Sequence, residues 1–169
     1  MRQSEKRSHL CASVAREMLQ SFSSQHGQLK PPVPIEEIAA WLGFQVVRLS
    51  NVEDACSALV STRDRLIGIN SRHHRHRQWF SLGHELAHIL LKHPPEVRCT
   101  RKEIVLYNAE ADECAAEILM PEDLLMRWLG VTRSIGELAR VFDVSKEAMA
   151  RKLARMEMSS FQESIRTIH

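Results

Sequence analysis

Two histidines four residues apart, His84 and His88, with Glu85 directly after the first, are the side chains of this sequence best suited to chemistry. They read H-E-x-x-H. On a helix, residues four apart share a face, so both imidazoles can reach one metal ion. A glutamate beside the first ligand can act as general base toward a metal-bound water. This is the minimal set for zinc-dependent peptide hydrolysis. The chain holds nine histidines, so such a match needs support from its surroundings. Leu82, Leu86, Ile89 and Leu90 lay a helical apolar stripe through the motif, and Pro94-Pro95 stop the helix beyond it. The competing reading is an amphipathic helix whose histidines are neighbours by accident.

The elements that must position this motif follow from apolar period and turn chemistry. A helix is expected over about Ser8–Ser24, with Leu10, Val14, Met18 and Leu19 on one face. Pro31-Pro32-Val33-Pro34 is an extended entry to a short helix, Ile35–Leu42, which Gly43 caps. Phe44–Leu49, Cys56–Ser61 and Leu66–Asn70 read as strands, the last two joined by a turn over Thr62–Arg65. Because they are short and closely spaced, an antiparallel sheet of about three strands is expected. The run His73-His74-Arg75-His76-Arg77 reads as a solvated segment, with a second metal site as the weaker alternative. After the motif helix come a helix from about Asn108 to Met120, one over Glu122–Leu129, and two over Ser134–Phe142 and Ser145–Met156. A polar tail begins at Ser159. The expected class is α+β.

A chain of 169 residues with 44% hydrophobic and 26% charged residues supports a compact domain with a real core. Its formal charge of +2 gives no argument for nucleic acid. No stretch is apolar enough to span a bilayer, and no apolar signal core follows the charged segment Met1–Arg7. A cytoplasmic location without membrane partners is therefore expected. Cys11, Cys56, Cys99 and Cys114 form no C-x-x-C pair and read as reduced, mostly buried thiols.

Four ordered segments then line up with one family. They are Pro31-Pro32-Val33-Pro34-Ile35-Glu36-Glu37-Ile38-Ala39, Ile67-Gly68-Ile69-Asn70, Arg77 through His88, and Ala115-Ala116-Glu117-Ile118-Leu119-Met120-Pro121. Together they resemble the ImmA/IrrE family of small bacterial and phage metallopeptidases, from about residue 10 to residue 156. The resemblance implies a zincin-like peptidase core with an active-site helix pair, zinc or manganese as cofactor, and a helix-turn-helix repressor as substrate. Cleaving that repressor would release its genes; the alternative is a degenerate peptidase that binds a repressor without cutting it. The corresponding division is a peptidase domain over 1–130, a helical subdomain over 131–158 and the tail over 159–169.

Two histidines leave a catalytic zinc one protein ligand short. The family supplies a glutamate from the next helix, four residues before an Asn or Asp that can orient a ligand histidine. The Leu-Met-Pro register puts Asp112 in the orienting column and Asn108 in the ligand column. Glu110 lies two residues on, about 200° around the helix. Three readings stay open: Asn108 ligates through its amide oxygen, the helix begins late enough for Glu110 to swing in, or the third ligand is missing. His93 and Tyr107 are candidate donors to the tetrahedral oxyanion.

Residues 138–153 read like a helix-turn-helix, with Ala139 at the crossing, Asp143-Val144-Ser145 in the turn and Ser145 as N-cap. Lys146, Arg151, Lys152 and Arg155 give the second helix a basic face. Direct DNA binding through 134–156 is the lesser reading; packing or substrate docking is favoured.

Overall fold

The computed structural model describes the backbone from Arg2 to Thr167, and the side chains of Arg7 and of residues 9–157. Helix α1 (Arg2–His26) and helix α2 (Ile35–Trp41) precede three strands, β1 (Gln45–Leu49), β2 (Ala58–Ser61) and β3 (Leu66–Asn70). Helix α3 (Arg75–Leu90), a 3-10 turn over Glu96–Arg98, and helices α4 (Arg101–Leu119), α5 (Glu122–Leu129), α6 (Ile135–Phe142) and α7 (Lys146–Thr167) complete the chain. The class is α+β.

The sheet has the order β1-β3-β2. β2 and β3 form the expected antiparallel hairpin, but β1 runs parallel to β3, so the sheet is mixed rather than wholly antiparallel. The reason lies in the segment between β1 and β2. It crosses the C-terminal end of β3, and the Asn70 side chain holds it there. Asn70 is buried, and its Nδ2 donates to the carbonyls of Cys56 at 2.8 Å and Glu53 at 3.2 Å. Ser71 N donates to Leu49 O at 2.9 Å, tying the end of β1 to the same point. β3 is central, and its Ile67 and Ile69 are fully buried.

Helix α1 turns Cys11, Ala15, Met18, Leu19 and Phe22 to the core. Met18 and Leu19 are buried as expected, but Leu10 is exposed, and toward the N-terminus Cys11 and Ala15 take the places expected of Leu10 and Val14. Cys11 and Cys114 are buried, Cys56 and Cys99 partly so, and all four are free thiols.

Helix α3 starts at Arg75, so the charged run is not a separate loop: it supplies the cap and first turn of the motif helix. His74 is the N-cap, its Nδ1 accepting from His76 N at 3.3 Å. Helix α4 starts at Arg101, seven residues before the expected Asn108. Thr100 and Glu103 explain this. Glu103 N donates to Thr100 Oγ1 at 3.3 Å and Thr100 N to Glu103 Oε2 at 2.8 Å, a reciprocal capping box. The α3–α4 crossing is close at Gly83, where a Cβ would lie 3.3 Å from Ala115 Cβ.

Helix α6 ends on Asp143, which adopts the left-handed conformation (φ 54°). Its carboxylate accepts from Trp79 Nε1 at 3.0 Å and pairs with Arg75 at 2.8 Å, fastening the α6–α7 turn to α3. Helix α7 runs to Thr167, well past the expected end at Met156. The backbone of the expected tail is thus helical through Thr167, while its side chains and residues 168–169 lie outside the described residues.

Candidate metal centre

Helix α3 brings His84 and His88 one turn apart, and their Nε2 atoms meet at 3.0 Å. Helix α4 lies alongside and presents Asn108 and Asp112 one turn apart. His84 Nδ1 is 2.7 Å from Asp112 Oδ1. A carboxylate accepts there, so the proton of His84 sits on Nδ1. The Asn108 side chain lies beside both imidazoles and favours their protonated forms.

Glu110 does not face this pair. Its Oε2 is 3.0 Å from His93 Nε2, and its Oε1 is 2.8 Å from Arg7 Nη1. Because α4 is continuous from Arg101, the late start that would let Glu110 swing in does not occur. His93 Nδ1 in turn lies 2.9 Å from His88 Nδ1. Both nitrogens of His93 are therefore engaged, and neither is open to an oxyanion, as had been expected of it. Tyr107 stacks on His93 with ring centroids 4.5 Å apart.

The electrostatics follow from burial and these partners. Burial opposes protonation of His84, but the hydrogen bond and charge of Asp112 outweigh it and hold its pKa above the usual value. His88 is pushed down to about 4, by burial first and then by the charges of His84 and His93. Burial raises the Glu85 carboxyl above its ordinary range, with the charge of Glu96 adding to the rise and His84 opposing it.

Two facing Nε2 atoms cannot both carry protons, and two bare lone pairs repel at this distance. One proton or one metal ion must therefore lie between them. Two imidazoles on a tetrahedral zinc would place their nitrogens about 3.3 Å apart, close to the separation found here, so the pair fits a divalent metal. The third position is less suited. Among the described residues no group of three or more His, Cys, Asp or Glu stands ready to hold an ion. The nearest third donor is the neutral amide of Asn108, a poorer zinc ligand than a carboxylate.

Sequence reasoning missed the link from His88 through His93 to Glu110 and Arg7. His93 follows His88 by five residues, beyond the helix end at Leu90, so helical spacing gives no signal for it. On α7, Lys152 pairs with the buried Glu117, while Arg155 with Glu113 and Arg151 with Glu147 form pairs whose arginines stay more than half exposed.

Comparison with known proteins matches this fold and helix pair to one family. Residues 42–154 match the IrrE N-terminal-like domain of peptidase family M78. The chain belongs to this family. None of the curated proteins matches it. Among solved structures it is similar to a Mycobacterium tuberculosis transcriptional regulator, at 18% identity and a TM-score of 0.67 over 86% of this chain. The chain spans about half, 46%, of that regulator's length. At this identity the likeness shows the fold. Among the described residues no helix is long and apolar enough to cross a membrane.

Proposed function

We propose that this chain is a metal-dependent endopeptidase that cleaves a helix-turn-helix transcriptional repressor and so releases the genes it silences. The observation that carries the reading is the meeting of His84 and His88 at Nε2 while Asp112 engages Nδ1 of the first. Family membership supports the peptidase class, and the regulator among similar structures supports a partner in transcription.

In this reading His84 and His88 would hold zinc, or manganese, and the Asn108 amide oxygen would be the third donor. When bound, the metal supplies Lewis acidity toward the scissile carbonyl and toward water. Glu85 takes the proton from the attacking water and passes it to the leaving amine. Its half-buried setting and raised pKa fit a group that must hold a proton between those events. Asp112 orients His84. Tyr107 is the remaining candidate donor to the oxyanion. Residues 131–158 serve as a helical docking subdomain beside a peptidase core over 1–130, in the cytoplasm.

One observation favours a second reading. Asn108 stands where a carboxylate would complete the site, which suits a degenerate peptidase that grips a repressor without cutting it. The test is to identify new protein N-termini in cells producing the wild type and in cells producing Glu85→Gln. Fragments of a helix-turn-helix protein that appear with the wild type alone are expected. Equal fragments with both would end the peptidase reading. An intact repressor captured equally by both would move the assignment to the binder.

A further inference from the structure

Glu110 and His93 enter the sequence as a candidate ligand and a candidate oxyanion donor, yet they occupy neither place. The hydrogen-bond chain they form admits few proton arrangements. Arg7 already pairs with Glu110 at 2.8 Å, so the carboxylate is compensated and meets His93 Nε2 as an acceptor. A neutral His93 that donates from Nε2 has a bare Nδ1. That atom, 2.9 Å from His88 Nδ1, must accept, so the proton of His88 sits on Nδ1 and the lone pair on Nε2. Nε2 is the atom that faces His84, and without a metal the proton that must lie between the two Nε2 atoms is carried on the His84 side.

We infer that His93 and Glu110 are positioning residues that set the tautomer of His88, holding its Nε2 lone pair toward the metal position. The two histidines of the motif are thus prepared in different ways. His84 is oriented directly by Asp112, and His88 through an intervening imidazole. The relay also explains the burial of His93 between Tyr107 and Glu110, because a ring that turned outward would free His88 to rotate or to change tautomer. The competing arrangement is a doubly protonated His93 that donates to His88 Nδ1 and drives the His88 proton onto Nε2, closing the site to metal. The inference rests on reading His84 and His88 as a metal pair, but its core, the tautomer, is measurable in the metal-free protein.

The test compares wild type, His93→Phe and His93→Asn. Phe keeps the ring stacked on Tyr107 and removes the acceptor. Asn loses the ring but places its Oδ1 near the position of Nδ1. Long-range 1H–15N NMR of the metal-free protein is expected to show His88 protonated at Nδ1 in wild type and in His93→Asn, and to show that preference lost in His93→Phe. Zinc affinity, measured by competition with a chelating dye, is expected to fall about tenfold or more in His93→Phe and to be largely kept in His93→Asn. Glu110→Leu is expected to weaken zinc binding in the wild-type background but not in His93→Asn, whose acceptor needs no relay. A wild-type His88 protonated at Nε2, an unchanged tautomer in His93→Phe, or equal losses of affinity in Phe and Asn would overturn the inference. Retention of the tautomer pattern in a wild type that binds no zinc would sink the metal reading and leave the relay standing.

Discussion

Asp112 Oδ1 lies 2.7 Å from His84 Nδ1, across the α3–α4 interface. The carboxylate is on the rim, with its side chain 56% exposed, so it contributes little to the core. Its effect is on His84, whose ring orientation and tautomer it fixes. Asp112→Asn is expected to lower zinc affinity about 10- to 100-fold while leaving the unfolding midpoint nearly unchanged. Competition titration and urea unfolding of the same preparation check the two halves. A loss of stability to match the loss of affinity would make Asp112 a structural residue instead.

Much of this arrangement was legible in the sequence, and what was not has physical causes. The H-E-x-x-H spacing and the apolar stripe of α3 gave the helix and its paired histidines, because both follow from the helical period. The facing of Asn108 and Asp112 came from the Leu119-Met120-Pro121 register. Strand direction did not come through: side chains alternate along a strand with the same period whether it pairs parallel or antiparallel, and the crossing segment that Asn70 holds sets β1 parallel. The start of α4 was misplaced because Thr100 and Glu103 form a cap ahead of an exposed first turn. His93 reads from the sequence only as an oxyanion donor because its partners, His88 and Glu110, reach it only through the folded chain.

Asn108 offers a direct way to complete the site. Its side chain lies beside both imidazoles, so a longer carboxylate on the same helical face approaches the same point. Asn108→Glu is expected to raise zinc affinity about tenfold or more, since an anionic oxygen is the better ligand. Isothermal titration calorimetry reads the change. Weaker binding in the variant would show that residue 108 does not face the metal.

Glu117 is 1% exposed and pairs with Lys152 from α7 and Arg16 from α1. Removing Lys152 leaves the buried carboxylate with only the longer contacts to Arg16 and Glu122 N, both at 3.3 Å. Lys152→Met alone is expected to destabilise the fold by about 3–5 kcal/mol, and the double change Glu117→Leu with Lys152→Met by clearly less. Urea denaturation of wild type, Lys152→Met, Glu117→Leu and the double variant closes the cycle. Equal costs for the single and double changes would mean that the pair is effectively solvated.

The buried thiols set an alkaline limit. Burial pushes Cys11 up to about 11 and Cys114 up to about 12, each from 9.0. The folded state therefore keeps protons that the unfolded chain releases above pH 9. The stabilisation is fully present below that pH and is lost as pH rises toward the folded values. The thermal midpoint is expected to fall between pH 9 and 11, and Cys114→Ala is expected to flatten that fall. A profile in Cys114→Ala that declines as steeply as wild type would remove the thiols as its cause.

The central claim is that His84 and His88 are a metal pair. The most direct test is metal content after zinc loading and gel filtration, for wild type, His88→Ala and His84→Ala. The account predicts about one tightly held zinc per wild-type chain and none in either variant. Wild type that retains no more zinc than the two variants would contradict it.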